Sequence, residues 1–220
     1  MITRREANST LLGGLALATF QGLGAQAQQT TMPLPKPEME GGKPLMQALK
    51  LRQSTREYST RPLPPQVLSN LLWAAWGINR VDSGFRTAPS SHSAMDIDVF
   101  LAMADGTWVY DPKAHQLVLH MAEDVRADTT TGQPFVNTAP LNLVYVSDAT
   151  RIGNVSDADR LRTGVADSAV ISQNVSLFCA SEGLGTVLRG SVPREKLARR
   201  LKLRETQAIY LAQTVGYPGA

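Results

Sequence analysis

The chain has 220 residues, of which 43% are hydrophobic and 19% charged, and a mean hydropathy of −0.14. This balance suits one domain with a substantial core and excludes wholesale disorder. The net charge of +3 comes from dispersed basic residues with no long basic run interleaved with aromatics, which argues against nucleic-acid binding.

Residues 1–27 read as an export signal of the twin-arginine type. Thr3-Arg4-Arg5-Glu6 supplies the paired arginines, Leu11–Leu23 a modest apolar stretch, and Ala25-Gln26-Ala27 a small-x-small cleavage site. An ordinary secretory leader that happens to contain two arginines is the alternative. The apolar stretch is too short and too polar for a membrane span, so no stable span is expected in the mature chain. The expected location is the bacterial periplasm or another exported compartment. Cleavage removes Arg4, Arg5 and Glu6 and leaves a net charge of +2. Residues 28–42 form a linker punctuated by proline and glycine, and residues 43–220 the folded domain.

Pro44–Gln53 reads as a helix with Leu45, Met46 and Leu49 on one face. A second helix spans Pro65–Trp76 and stops at Gly77. Ile97, Val99, Leu101 and Met103 alternate as in a strand, and Asp105-Gly106 is a tight-turn signal. Thr107–Tyr110 returns, Asp111–Ala114 turns, and Leu117, Leu119 and Met121 mark a third strand. Leu141–Val146 reads as a buried strand and Val165–Ser181 as a long helix with little polar surface. Pro193–Leu201 is a short helix and Ala208–Val215 a last strand. Helices and hairpins together give an α+β class, with helices packed on a mixed sheet.

Three polar clusters stand out. Arg52-Gln53-Ser54-Thr55-Arg56 offers two guanidinium forks and two hydroxyls, a donor set suited to phosphate. Arg52, Ser54 and Arg56 converge only if the helix stops near Gln53, and a solvated basic helix end would look the same. Thr87–Ser93 is a polar loop that can grip a heterocycle or serve as a plain turn. Gly183 and Gly185 fit a helix C-cap, and Gly190 permits close approach of a flat ligand. Cys179 reads as an inert core thiol, and His92, His115 and His120 lack a metal-ligand pattern. No Gly-x-Ser-x-Gly elbow marks a hydrolase.

In this order the motifs resemble the nitroreductase family over about Gly42–Pro218. The matching segments are Leu45–Arg56, Leu71–Gly77 (LLWAAWG), Arg86–Ser91 (RTAPSS), Trp108–Lys113 (WVYDPK), Gln173-Asn174, Gly183–Gly190 (GLGTVLRG) and Val215–Pro218 (VGYP). Leu71–Gly77 and the Tyr-Asp-Pro turn look most like the SagB-type branch. The resemblance implies an α/β/α sandwich with a mixed, mainly antiparallel sheet flanked by helices. It also implies an interlocked homodimer with two FMN sites between subunits. Arg52, Gln53, Ser54 and Arg56 would hold the FMN phosphate. Pro89, Ser90 and Ser91 would reach the flavin from the partner subunit. The main chain at Arg189 and Gly190 would meet its redox edge. The implied activity is FMN-dependent oxidoreduction through flavin N5 by a ping-pong cycle, between a small-molecule donor and acceptor, with no catalytic side chain and no metal. A flavin-binding or electron-carrier protein without turnover is the alternative.

Overall fold

The computed structural model describes residues 29–219, so the export-signal reading of residues 1–27 lies outside the described residues. In chain order, β1 (Thr31–Pro33) precedes α1 (Leu45–Leu51) and α2 (Pro65–Trp76). A hairpin of β2 (Ile78–Arg80) and β3 (Phe85–Arg86) comes next, then the meander β4 (Ile97–Met103), β5 (Gly106–Asp111) and β6 (Gln116–Met121). After it lie α3 (Phe135–Thr138), β7 (Leu141–Asp148), α4 (Ala149–Ile152) and α5 (Asp157–Glu182). The described chain closes with β8 (Gly185–Arg189), α6 (Arg194–Arg200) and β9 (Gln207–Gly216).

Seven strands form one sheet in the order β1-β6-β5-β4-β7-β9-β8, and each of its pairings runs antiparallel. Alternation along the strands gives the sheet two apolar faces. Val99, Leu101, Leu143 and Tyr145 face α2 and α5, packing with Leu71, Leu72, Trp76 and Ile171. Phe100, Val144, Val146 and Ala212 face the other side, where Leu197 and Leu201 of the α6 region cover them. The architecture is therefore a three-layer α/β/α sandwich on a mainly antiparallel sheet. The central strand β7 is buried along its whole length, as its continuous apolar run requires.

Local chemistry sets the helix limits. Pro65 starts α2 and Gly77 ends it. The long helix α5 begins eight residues before the expected Val165. Ser156 caps it, its Oγ accepting from the Asp159 amide at 3.1 Å, and Asp157 and Asp159 oppose the helix dipole in the first turn. It ends at Gly183, whose φ of 72° is left-handed.

Two expectations need correction, and α1 adds a further finding. The segment read as a linker forms β1, which pairs with β6. Just beyond β1, the Pro35 carbonyl accepts from the Ser69 hydroxyl at 2.5 Å, which ties this segment to α2. The glycine-rich run after α5 is not only a cap: residues from Gly185 on form the edge strand β8 against β9. The apolar stripe of α1 exists but is not buried by this chain, since Leu45, Met46 and Leu49 are exposed and only Ala48 is covered.

Gly185 is where the chain after α1 touches β8. A Cβ there would stand 2.8 Å from Thr55 Cγ2 and 3.0 Å from Thr55 Cβ, while the Thr55 amide is held to the Thr186 carbonyl at 2.9 Å. Gly185→Ala is expected to lower stability by about 1–3 kcal/mol in urea unfolding, as overpacking does. Thr55→Ser in the same chain should recover part of that loss, and an unchanged midpoint for Gly185→Ala would show that Thr55 yields freely.

Candidate functional site

The first part of the site lies where α1 stops. Its last residue is Leu51, and Arg52 already has ψ 119°, outside the helical range. The chain then runs beside β8, fixed by the Thr55 amide on the Thr186 carbonyl and by the Tyr58 hydroxyl on the Thr55 carbonyl at 2.5 Å. In this non-helical run, positions 52, 54 and 56 are no longer held to the spacing of a helix, which would set Ser54 apart from Arg52 and Arg56. Arg52, Gln53, Ser54 and Arg56 are exposed, and their side chains make no hydrogen bond or ion pair among the described residues. Gln53 and Thr55 line a recess of about 220 Å³ with Leu51, Gly183 and Leu184. The helix therefore ends where convergence of Arg52, Ser54 and Arg56 requires it.

The second part is the far end of β8. Arg189 turns inward and is 2% exposed. Its Nε donates to Thr214 Oγ1 at 3.0 Å, its Nη1 to the Thr129 carbonyl at 2.7 Å, and its Nη2 to Thr129 Oγ1 at 3.1 Å and Asn142 Oδ1 at 3.3 Å. Burial pulls the guanidinium pKa down to about 10, an effect that the nearby Tyr58 partly opposes. This side chain is structural, and only its peptide can meet a ligand. Gly190 is exposed, and a Cβ added there would meet nothing within 4 Å. The strand thus ends at a residue without a side chain that faces open space, its carbonyl accepting from the Val192 amide and from Arg194 Nη2, both at 3.0 Å.

The third part is the loop at Pro89–Ser91. Asp167 of α5 anchors it with four contacts. Ser90 Oγ donates to Asp167 Oδ2 at 2.7 Å and Ser91 Oγ to Oδ1 at 2.8 Å, while the Ser91 amide reaches Oδ1 at 3.1 Å and Oδ2 at 2.9 Å. The Ser90 hydroxyl also accepts from the Met95 amide at 2.8 Å. His92, Ser93 and Met95 are held at φ 51°, 56° and 47°, left-handed values that cost energy without glycine. Behind the loop lies Asp96, fully buried, with the Ser147 hydroxyl donating to its Oδ2 at 2.5 Å and no partner for Oδ1 among the described residues. Burial above all, helped by the Asp167 carboxylate and opposed by the Ser147 hydrogen bond, pushes the Asp96 pKa up to about 6. Asp96 therefore keeps its proton to higher pH than an ordinary aspartate.

Asp96 and Asp167 escaped the sequence reading. The one signal was a lone acid at position 167 inside an otherwise apolar helical stretch. The first two parts both flank β8, and the structure brings them to one strand. The third part is held along α5 well away from the first, which lies at Gly183. Asp167 and the cap residue Gly183 sit sixteen positions apart on one helix, about 24 Å at 1.5 Å per residue.

The nitroreductase family model matches residues 49–217. The chain belongs to the nitroreductase family. That membership makes it an oxidoreductase by family. A Methanocaldococcus jannaschii relative with a provisional nitroreductase name is 30% identical over 184 residues, 80% of this chain and 92% of that protein. A crystal structure of a provisionally named nitroreductase from Ralstonia eutropha JMP134 is 42% identical, covering 86% of this chain and 90% of that chain with a TM-score of 0.82. The Vibrio harveyi NADPH:FMN oxidoreductase, solved with NAD+, shares the fold at 20% identity, with a TM-score of 0.60 over 80% of this chain and 69% of its own.

Cys179 is fully buried, and burial pushes its thiol pKa far up, which leaves it unreactive. Among the described residues no His, Cys, Asp or Glu cluster is set to hold a metal, and no helix is long and apolar enough to cross a membrane.

The Asp96 proton sets a pH dependence. An unfolded Asp carboxyl ordinarily titrates near 4, below the value of about 6 in the fold. The folded state therefore binds the proton more tightly, and the contribution of Asp96 to stability is fully present below about pH 4 and is lost as pH rises through about 6. Asp96→Asn removes that titration. It should raise the urea midpoint relative to wild type at pH 8, with the difference shrinking at pH 4. Parallel pH profiles for the two proteins would refute the assignment.

Proposed function

We propose that this nitroreductase-family chain is an FMN-dependent oxidoreductase that works as a homodimer. The observation that carries the reading is the donor set on β8's flanks. Arg52, Ser54 and Arg56 are exposed and unengaged beside the start of β8, and Gly190, without a side chain, faces open space at the other end of the same strand. Two guanidiniums and a hydroxyl suit a phosphate, and an unobstructed amide suits the edge of a flat ring. Within the family, Leu71–Gly77 and the Tyr110-Asp111-Pro112 turn favour the SagB-type branch.

FMN, when bound, supplies a ring nitrogen that accepts and returns a hydride. Arg52, Ser54 and Arg56 hold its phosphate, with Gln53 turned to the recess behind. The Arg189–Gly190 peptide orients the ring edge, because the buried Arg189 side chain fixes the strand end. Pro89, Ser90 and Ser91 would join the phosphate end of this site from a second copy, since their anchor Asp167 lies about 24 Å along α5 from Gly183 in their own chain. The exposed Leu45, Met46 and Leu49 of α1 favour such a partner. Donor and acceptor then use one site in turn, the basis of a ping-pong cycle. We also propose export by the leader at residues 1–27, which N-terminal sequencing of the protein from its native compartment tests.

Purified protein should be yellow, bleach under a reductant and regain colour with a quinone or nitroaromatic. Colour without turnover would support the electron-carrier alternative. Arg52→Ala with Arg56→Ala should weaken FMN binding by roughly 1.5–3 kcal/mol for each charged hydrogen bond lost, read by fluorescence titration. Affinity unchanged in that double variant would overturn the phosphate assignment.

A further inference from the structure

Beside the Pro89–Ser91 loop lies a cavity of about 460 Å³, walled in part by Arg80, Phe85, Arg86, Pro89, Ser93 and Met95. It contains two guanidiniums, and no acidic residue among the described ones lines it. Arg86 is half-buried against the Trp76 ring, its guanidinium carbon 5.4 Å from the ring centroid. Its single donation is a long one, from Nη1 to the Trp76 carbonyl at 3.4 Å. Its Nε is enclosed and has no acceptor among the described residues. Arg80 reaches in from β2, its Nη2 donating to the Arg86 carbonyl at 2.6 Å. The nearby acid Asp98 is engaged by Arg151 at 2.5 Å.

A half-buried cation without a carboxylate is costly unless an anion arrives. Burial accordingly lowers the Arg86 pKa. Arg189, more deeply buried, is satisfied by neutral acceptors, and Arg160, whose Nε also lacks an acceptor, has the Asp157 carboxylate for its Nη1; Arg86 has neither arrangement among the described residues. The walls set the ligand class. Phe85, Pro89 and Met95 offer apolar contact, and Thr87, Ser90 and Ser93 supply hydroxyls. No glycine-rich loop adds the further amides that a phosphate would draw on. A planar guanidinium matches a carboxylate, and the volume suits a small molecule.

We infer that this cavity binds a small organic carboxylate with a compact apolar or aromatic body, with Arg86 as its anchor and Arg80 as its second cation. Resting on the FMN reading, this names the substrate class, because the cavity adjoins the loop that borders the cofactor. The anion site itself stands on Arg86 and does not need flavin to be measured.

The test is calorimetric titration of the full chain with phenylacetate and with phenylacetamide, in the presence and absence of FMN. The expected result is at least a tenfold preference for phenylacetate that weakens as salt is raised. Arg86→Gln should abolish the preference with flavin content unchanged. Arg86→Lys, which keeps the charge but not the planar fork, should lose most of it and stands in should Arg86→Gln fail to fold. Equal affinity for the two compounds in the wild type would overturn the inference, as would a preference that survives Arg86→Gln combined with Arg80→Gln. So would an Arg86→Gln protein changed only in dimer dissociation, which would show that the second copy supplies the missing acceptor. Selective phenylacetate binding by protein that never holds FMN would keep the anion site and remove the flavin reading. Flavin turnover without selectivity would do the reverse.

Discussion

Helix α5 fixes the distances on which the candidate site depends. It runs unbroken through 26 residues, and its inward face mixes the apolar Ile171, Val175 and Cys179 with the polar Asp167, Ser168, Ser172 and Ser176. Apart from Ser168 Oγ, which has no partner among the described residues, the polar groups of that face are bonded. Gln213 Nε2 donates to the Ser172 carbonyl at 3.2 Å, to Ser176 Oγ at 3.2 Å and to Thr186 Oγ1 at 3.0 Å, and the Tyr145 hydroxyl donates to Gln213 Oε1 at 2.5 Å. The helix is thereby tied to β7, β8 and β9 by a network with little room to shift, since each broken bond would leave a buried polar atom unpaired. One end of α5 presents Asp167 to the serine loop, and the other delivers the chain into β8. The serine loop and the start of β8 are thereby kept apart along the helix, which is why a second copy enters the functional proposal.

What was legible in the sequence was local. The alternation of Ile97–Met103, the Asp105-Gly106 turn and the glycine after Trp76 report short-range preferences, and each element lies where its residues place it. The elements that escaped depend on distant partners. Thr31–Pro33 becomes a strand because β6 offers it an edge, and Gly185–Arg189 because β9 does. The early start of α5 was readable in principle from Ser156 and Asp159, but that first turn carries charge rather than an apolar stripe. In α1 the periodicity correctly marked an apolar face. Periodicity says which residues share a side, however, and not what covers them.

The site divides in the same way. Arg52, Gln53, Ser54 and Arg56 were recognisable because their chemistry is written in five consecutive positions. Asp167 was not, because its meaning depends on serines 76 and 77 positions away. Arg189 is the opposite case. Its place in a glycine-rich motif invites a ligand-binding role for the side chain, while the guanidinium is spent on Thr129, Asn142 and Thr214 inside the protein. Its contribution to a site is to hold the end of β8, so that the Gly190 peptide stays where it is.

Arg189 and Arg86 together separate two meanings of a buried charge. Both have pKa values lowered by burial, so desolvation alone does not distinguish them. Hydrogen bonding does. Arg189 reaches neutral acceptors with both Nη atoms and Nε, the arrangement of a cation that the fold has used as a structural link. Arg86 has one long bond and an Nε without an acceptor, next to a cavity lined by no carboxylate among the described residues. Because an unpaired donor in a low-dielectric setting is costly, the second arrangement persists at the expense of stability. A fold that can satisfy one guanidinium completely and leaves another waiting beside open volume has reserved the second for something outside the chain.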